Sequence, residues 1–486
     1  MGNRRPNLIL FNPDQFRADA LGHLGNPAAR TPVMDRLALE EGVSFRNAFC
    51  QNPVCTPSRC SFMTGWYPHV RGHRTMYHML APEEPMLLRT LKDSGYFVWW
   101  GGKNDVVPGQ NGFTAYCDVK YQTRPGLPEL HAQDEWRGAP EGDNYYSFYA
   151  GRRENVSGTE KPDGDWDILR EAVAQLKTIS KDRPFCMYLP LLYPHPPYGV
   201  EEPFFSAIDR KELPPRIPCP DWGRKPSLLS AIRRGQRLEG WTEERYEELR
   251  ATYLGMCARV DTQLGMLLEA LKENGLYEET AVLVFSDHGD FTGDYGLVEK
   301  TQNTFEDCLT RVPLLIKPPS RVPFTPGIRE GLTELVDIPA TVYALCGLSF
   351  DYTQFGESLL PRLADPALPG RPYVVCEGGR NPEEVHCSEV QSVSQGEKGL
   401  YYPRIHAQVS DDVAHGKAFM LRTLRYKYVY RLYEQDELYD LETDPREIVN
   451  RVGDPALAAV ETLLRGRLLE FLARTADVVP WKADQR

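Results

Sequence analysis

Between Asn52 and Pro68 the chain reads NPVCTPSRCSFMTGWYP, which puts the Cys55 thiol, the Ser58 hydroxyl and the Arg59 guanidinium within five residues and closes on Thr64-Gly65. Other chemically able groups stand at the ends of apolar runs. Asp14 and Gln15 follow LILF, Lys103 and Asp105 follow YFVWW, His195 follows MYLPLL, and Asp287 with His288 follows AVLVF; Lys300 comes shortly after. Thiols are nucleophiles, carboxylates and imidazoles bind metals or carry protons, and ammonium groups hold anions. Singly, each has a plainer reading. Cys55 alone would be a buried structural thiol, and Asp14, Asp287 and His288 would be capping or solvated groups at strand ends. Their shared position changes the reading, because ligands of an open α/β sheet bind outside the carboxyl ends of its strands. Four polar clusters should therefore meet at one edge.

The elements that must carry them follow from periodicity. Asn7 to Phe11 reads as a strand, and TPVMDRLALEEG as a helix with Thr31 as N-cap and Pro32 in its first turn. VSFRNAF, YFVWWGGK, PFCMYLPLL and TAVLVF read as further strands, with helices in MLLRTLKDSG and DWDILREAVAQLKTIS between them. Tyr246 to Leu271 repeats apolar residues at helical spacing, a core stripe. The alternation predicts an α/β protein with a large mixed, mostly parallel sheet flanked by helices. Pro108 to Asp165, Glu201 to Gly240 and YPHPPYG read as loops or insertions, and PRLADPALPGRP as a linker. Beyond it, AFMLRTLRYKYVYRLY and DELYDL predict antiparallel strands, and ALAAVETLLRGRLLEFLART a final helix. The expected organisation is a catalytic α/β domain over 1–365 and a smaller C-terminal α+β subdomain over 366–486.

Composition bounds the partners. With 41% hydrophobic and 26% charged residues the chain is an ordinary folded one. A formal charge of −12 argues against nucleic acid, while leaving a small anionic substrate open because local groups decide that contact. The apolar run near the start is interrupted by Asn12, Pro13 and Asp14 before it could serve as a secretory core or membrane span, so a cytoplasmic, membrane-free location is expected. Eleven cysteines without CxxC or zinc spacing predict reduced, buried thiols.

The turn at Cys55 resembles, in every fixed position, the CxPSRxxxxTG pattern of type I sulfatases, the formylglycine-dependent members of the alkaline phosphatase superfamily. NPDQFRADALG, GGKND, YPHPPY, SDHGDFTGDYGLVEK and the stretch from Leu424 to Glu447 resemble further segments of that family, in family order. The resemblance implies a sulfuric ester hydrolase in which a maturation enzyme oxidises Cys55 to formylglycine. One hydroxyl of the aldehyde hydrate attacks sulfur, and collapse of the hemiacetal then expels sulfate. It implies one divalent cation, Ca²⁺ first with Mg²⁺ or Mn²⁺ as alternatives, on Asp14, residue 55, Asp287 and His288, with Gln15 as a ligand or a group behind the ligands. Arg59 would support the nucleophile. Lys103, His195 and Lys300 would contact the sulfate and leaving oxygens, with His195 as general acid. Asp105 stands where the commoner pattern has histidine; it is a candidate base for hemiacetal breakdown or a salt-bridge partner of Lys103. The expected substrate is a small organic sulfate such as a sulfated carbohydrate. Gln15 also fits a phosphonate monoester or phosphodiester hydrolase of the same superfamily. A non-catalytic binder of sulfated ligands is the reading from another class, and it has no use for nucleophile and metal together.

Overall fold

The computed structural model describes residues 5–129, 135–393 and 395–481. The first four residues of the N-terminal stretch, and part of the expected insertion after Pro108, lie outside the described residues. Eight strands form the main sheet: β1 (Asn7–Pro13), β2 (Val43–Phe45), β3 (Phe97–Gly101), β4 (Val119–Tyr121), β5 (Phe185–Leu191), β6 (Thr280–Phe285), β7 (Leu314–Lys317) and β8 (Gly327–Arg329). Their order is β8-β2-β7-β6-β1-β5-β3-β4. Every neighbouring pair is parallel except the two made by β7, which runs against β6 and β2. The sheet is thus mixed and mostly parallel, as the alternation predicts.

Alternation along the central strands explains the two cores. Ile9, Phe11, Met187, Leu189, Val282 and Val284 face one side, with helices Gly164–Thr178 and Glu243–Glu273 covering it. Leu8, Leu10, Cys186, Tyr188, Leu283 and Phe285 face the other, covered by helices Cys55–Thr64, Leu87–Asp93 and Asp337–Cys346. Successive side chains of a strand point to opposite faces, so a parallel sheet with both faces covered needs apolar residues at every position. Burying one such side chain stabilises by about 1.5–3 kcal/mol.

A second sheet joins β9 (Val374–Gly378), β10 (Ala418–Arg422), β11 (Tyr426–Arg431) and β12 (Glu437–Asp440), antiparallel throughout. Helix Ala458–Thr475 packs on it through Leu464, Leu468 and Phe471. Its other face contributes Cys376, Met420 and Val429 to the core beneath the main sheet.

Among the described residues several segments differ from the sequence reading, among them Glu201 to Gly240, which holds helix Ser227–Gln236 with Leu228, Leu229 and Ile232 buried. VSFRNAF splits: Val43–Phe45 joins the main sheet, whereas Ala48–Phe49 pairs with Arg311–Val312 and Thr333–Glu334 in a small three-stranded sheet. The stretch read as an insertion supplies the edge strand β4 and strand Tyr149–Arg153, which pairs with Tyr198–Glu201 inside the region read as proline-rich loop. The expected linker begins as helix Leu360–Ala364 and ends with Arg371 donating to Asp337 (Nε to Oδ2, 3.1 Å), so ion pairing orders a segment that lacks apolar periodicity.

Candidate active site

The four strands whose ends carry polar clusters are adjacent and parallel, β6-β1-β5-β3, so their carboxyl ends open on one edge. Pairing runs past the formal ends: the Asp14 amide donates to the Leu191 carbonyl (3.2 Å) and the Lys103 amide to that of Pro190 (3.1 Å). Both side chains therefore leave the sheet in fixed register.

Helix Cys55–Thr64 begins at this edge, with Cys55 as its first residue and all ten residues buried. Its polar side chains have partners, as burial demands. The Ser58 hydroxyl donates to the Asp287 carbonyl (2.6 Å), and Thr64 Oγ1 donates to Cys60 O (2.8 Å) and accepts from the Trp66 amide (3.0 Å). Gly65 ends the helix at φ 77°, a conformation that costs any side-chain-bearing residue strain.

Cys55 Sγ lies 3.2 Å from His288 Nε2, 3.5 Å from Asp14 Oδ1 and 3.6 Å from Lys103 Nζ. Ligand atoms of Asp14, Cys55, Asp287 and His288 all fall within 4.8 Å of one another. His288 Nδ1 donates to the Gly289 carbonyl (2.9 Å), which turns the Nε2 lone pair into the cluster. Two carboxylates, an inward imidazole lone pair and residue 55 make a donor set that fits a divalent cation, and an oxygen on residue 55 would make it a predominantly hard site suited to Ca²⁺ or Mg²⁺.

Arg59 serves this cluster from beneath. It donates to Asp287 Oδ2 through Nε (2.9 Å), to Asp14 Oδ2 through Nη2 (3.0 Å), and to Asn12 Oδ1 (3.0 Å) and the Tyr188 hydroxyl (3.2 Å) through Nη1. The planar fork of Arg59 is spent on the two carboxylates, so its support of residue 55 runs through Asp14 and Asp287. Lys103 sits between two acids, 2.6 Å from Asp14 Oδ2 and 2.8 Å from Asp105 Oδ2. Asp105 therefore reaches the cluster through Lys103. It takes up a left-handed backbone at φ 44° to do so.

A second group faces the first. Lys300 Nζ donates to Gln15 Oε1 (2.7 Å) and lies 2.9 Å from both His195 Nε2 and Glu299 Oε1. His195 Nδ1 donates to the Pro196 carbonyl (2.6 Å), so its Nε2 accepts from Lys300. In this arrangement the proton beside the cluster is carried on Lys300, with His195 as its acceptor. Gln15 uses its side-chain oxygen on Lys300 and its side-chain nitrogen on Asp290, and its amide donates to Asp287 Oδ1 (3.1 Å).

Electrostatics follow the geometry. Burial resists ionisation of Asp14, but Lys103 and Arg59 together hold its carboxyl well below the usual range. Burial likewise opposes charge on Lys103, which Asp105 and Asp14 restore and raise. Burial depresses His288 against the pull of Asp287, leaving a neutral imidazole fit to ligate. Burial and Asp14 push the Cys55 thiol far up, so the unmodified side chain is a neutral, weakly nucleophilic thiol.

The structure thus brings together Asp14, Gln15, Cys55, Arg59, Lys103, Asp105, His195, Asp287, His288 and Lys300. Sequence reasoning missed Asn12, Tyr188, Asp290, Tyr198 and Glu299. The run FNPDQ, the second acid of DHGD and the last residue of YPHPPY, Tyr198, lay beside residues already chosen, but Tyr188 carries no local signal. Arg404 approaches Glu299 (3.4 Å). His69 and His73 are structural: each pairs with a glutamate, Glu377 at 2.8 Å and Glu84 at 3.0 Å. All eleven cysteines are free and all but Cys219 are buried.

Comparisons with known proteins place the chain in a family. The Sulfatase family model matches residues 6–348. The multifunctional alkaline phosphatase superfamily protein PehA of Trinickia caryophylli is 27% identical, covering 97% of this chain and 96% of that protein. A choline-sulfatase of Rhizobium meliloti is 25% identical over 94% of this chain and 84% of its own length. The crystal structure of a phosphonate monoester hydrolase of Agrobacterium radiobacter superposes with a TM-score of 0.76 at 25% identity, covering 97% of this chain and 96% of that one. With the family model covering more than half of its length, the chain belongs to the sulfatase family of the alkaline phosphatase superfamily and is a sulfuric ester hydrolase.

Proposed function

We propose that the protein hydrolyses a small organic sulfate ester, such as a sulfated carbohydrate, with formylglycine at position 55 as nucleophile and one divalent cation, Ca²⁺ in first place. The observation that carries this reading is the position of Cys55: the first residue of a buried helix, with His288, Asp14 and Lys103 all within 3.6 Å of its sulfur. A cation held by Asp14, Asp287, His288 and residue 55 would stabilise the nucleophile's negative charge. Around it the chain's own groups divide the work. Arg59 holds the two carboxylates in place. Lys103 and Lys300 face a sulfate seated over residue 55, and a cation about 4 Å from an anionic oxygen contributes ~4 kcal/mol at an effective dielectric of ~20, before desolvation. The leaving oxygen takes its proton from the Lys300–His195 pair.

A phosphonate monoester or phosphodiester is a second substrate class for the same site. Gln15 is compatible with it, and such substrates carry one negative charge, as a sulfate monoester does. The likeness to a phosphonate monoester hydrolase points the same way.

The test is a panel of aryl sulfates, sulfated sugars, a phosphodiester and a phosphonate monoester on protein whose residue-55 peptide has been weighed by mass spectrometry. Turnover should rise with the fraction of formylglycine, fall on chelation and return with Ca²⁺ or Mg²⁺. Full activity with an intact thiol at Cys55 would falsify the nucleophile.

A further inference from the structure

We propose that Asp290 is a positioning residue that sets the direction of the Gln15 amide and thereby holds Lys300 at the leaving oxygen; the inference rests on the role given to Lys300 under the proposed function. Asp290 is fully buried. Its Oδ1 accepts from the Tyr198 hydroxyl (2.7 Å), the Thr292 hydroxyl (2.7 Å) and the Thr292 amide, and its Oδ2 accepts from Gln15 Nε2. The Tyr198 oxygen in turn accepts from the Glu299 amide (2.8 Å), and Glu299 is bonded to Lys300, whose Nζ donates to Gln15 Oε1 (2.7 Å). The contacts close a ring: Asp290, Gln15, Lys300, Glu299, Tyr198, Asp290.

Polarity around the ring is fixed at one member. An ionised carboxylate only accepts, so Asp290 obliges Gln15 to turn its NH₂ inward and its carbonyl oxygen towards Lys300. Gln15 Oε1 and Glu299 Oε1 accept two of the three Lys300 N–H bonds, and the third, directed at His195 Nε2, is the proton this pair offers the leaving oxygen. Gln15 at φ 66° and Glu299 at φ 65° both hold left-handed backbones without being glycine, a strain that persists only where surrounding contacts over-determine it.

Asp290→Asn keeps the shape and breaks the polarity. Three donors converge on Oδ1, so the introduced amide's oxygen takes that place and its NH₂ meets Gln15. Gln15 must then rotate and present its own NH₂ to the Lys300 ammonium. Adding Gln15→Glu restores two acceptors, one for the introduced amide and one for Lys300. The experiment measures kcat/KM of matured wild type, D290N, D290N/Q15E and Y198F on 4-nitrophenyl sulfate and on a primary alkyl sulfate. Nitrophenolate departs without a proton and an alkoxide does not. D290N should therefore lose at least tenfold more on the alkyl sulfate than on the aryl one, and D290N/Q15E should recover most of that difference. Y198F, which removes one hydroxyl, should show the same bias more weakly and covers the case of a D290N protein that does not fold. An active wild type with equal losses on both substrates in D290N or Y198F, or with no recovery in D290N/Q15E, overturns the role of Asp290. A wild type inactive on both sulfates sinks the proposed function instead.

Discussion

At the scale of single residues the site is built by pairing opposite charges in a dry place. Asp14 and Lys103 are 2.6 Å apart and Asp14 is fully buried, so removing either partner would leave a costly lone charge. Asp105 is the informative case. A base for hemiacetal breakdown should reach residue 55, yet its carboxylate is held 2.8 Å from Lys103, which itself stands 3.6 Å from Cys55 Sγ. This favours the salt-bridge role over the base. Asp105→Asn is accordingly expected to keep steady turnover, with kcat/KM lowered no more than about tenfold, the factor that corresponds to ~1.4 kcal/mol of lost positioning. The check is rapid-mixing kinetics with mass analysis of the residue-55 peptide. A burst of alcohol followed by arrest, with sulfate retained on that peptide, would make Asp105 the base after all.

Among the elements, helix Glu243–Glu273 does more than fill the core. Its Asp261 turns inward, and its two carboxylate oxygens accept from the Val33 (3.0 Å) and Met34 (2.7 Å) amides at the start of helix Pro32–Arg36, capping it from outside. Thr31, expected as the cap, accepts from the Gly22 amide instead (2.9 Å). Burial pushes the Asp261 carboxyl up to about 7, and the two amides only partly offset it. A carboxyl whose pKa is higher folded than unfolded binds more protons in the folded state between the two values, so its contribution is present below about pH 4 and is lost as pH rises through about 7. Asp261→Asn does not titrate. Relative to wild type it should gain on the order of 4 kcal/mol in stability between pH 4 and pH 8, read from denaturant unfolding at several pH values. A pH-independent difference between the two proteins would remove Asp261 as the titrating group.

For the whole molecule, the C-terminal sheet does not stand apart from the chemistry. Lys427 on β11 reaches Glu447 Oε2 (2.6 Å), Asp307 Oδ1 (2.7 Å) and the Phe305 carbonyl (2.7 Å), while Arg431 donates to the Asn303 carbonyl (3.0 Å). These contacts grip the segment that follows Lys300. Replacing Lys427 by Met strips the buried Glu447 of its cation and leaves the half-buried Asp307 with Arg422 alone, so a loss of about 3–5 kcal/mol is expected. Activity should fall more than the folded fraction does, because residues 303–305 lose an anchor; thermal unfolding and kcat at a temperature where the variant is folded separate the two. Wild-type kcat in folded K427M would show that Lys300 is held without that anchor.

Much of this was written in local pattern. The strand–helix alternation follows from side-chain periodicity, and the run CTPSR with Thr64-Gly65 points to its chemistry through the pattern it shares with type I sulfatases. Asp14, Lys103, His195 and Asp287 were legible because each directly follows an apolar strand, and parallel strands send their ends one way. What the sequence left open depends on contacts between residues far apart in the chain. Arg59 was read as the nucleophile's partner, but its partners Asp14 and Asp287 come from two other strands, and only their convergence makes it a clamp. Gln15 was read as a ligand or a group behind one; Asp290 and Lys300 decide which way its amide turns. The edge strand Val119–Tyr121 was invisible inside a stretch rich in glycine and proline, since a short strand is stabilised by the neighbour it pairs with, here β3, and not by its own periodicity. Hydrogen-bond direction and charge pairing are properties of juxtaposed groups, and juxtaposition is what the tertiary fold supplies.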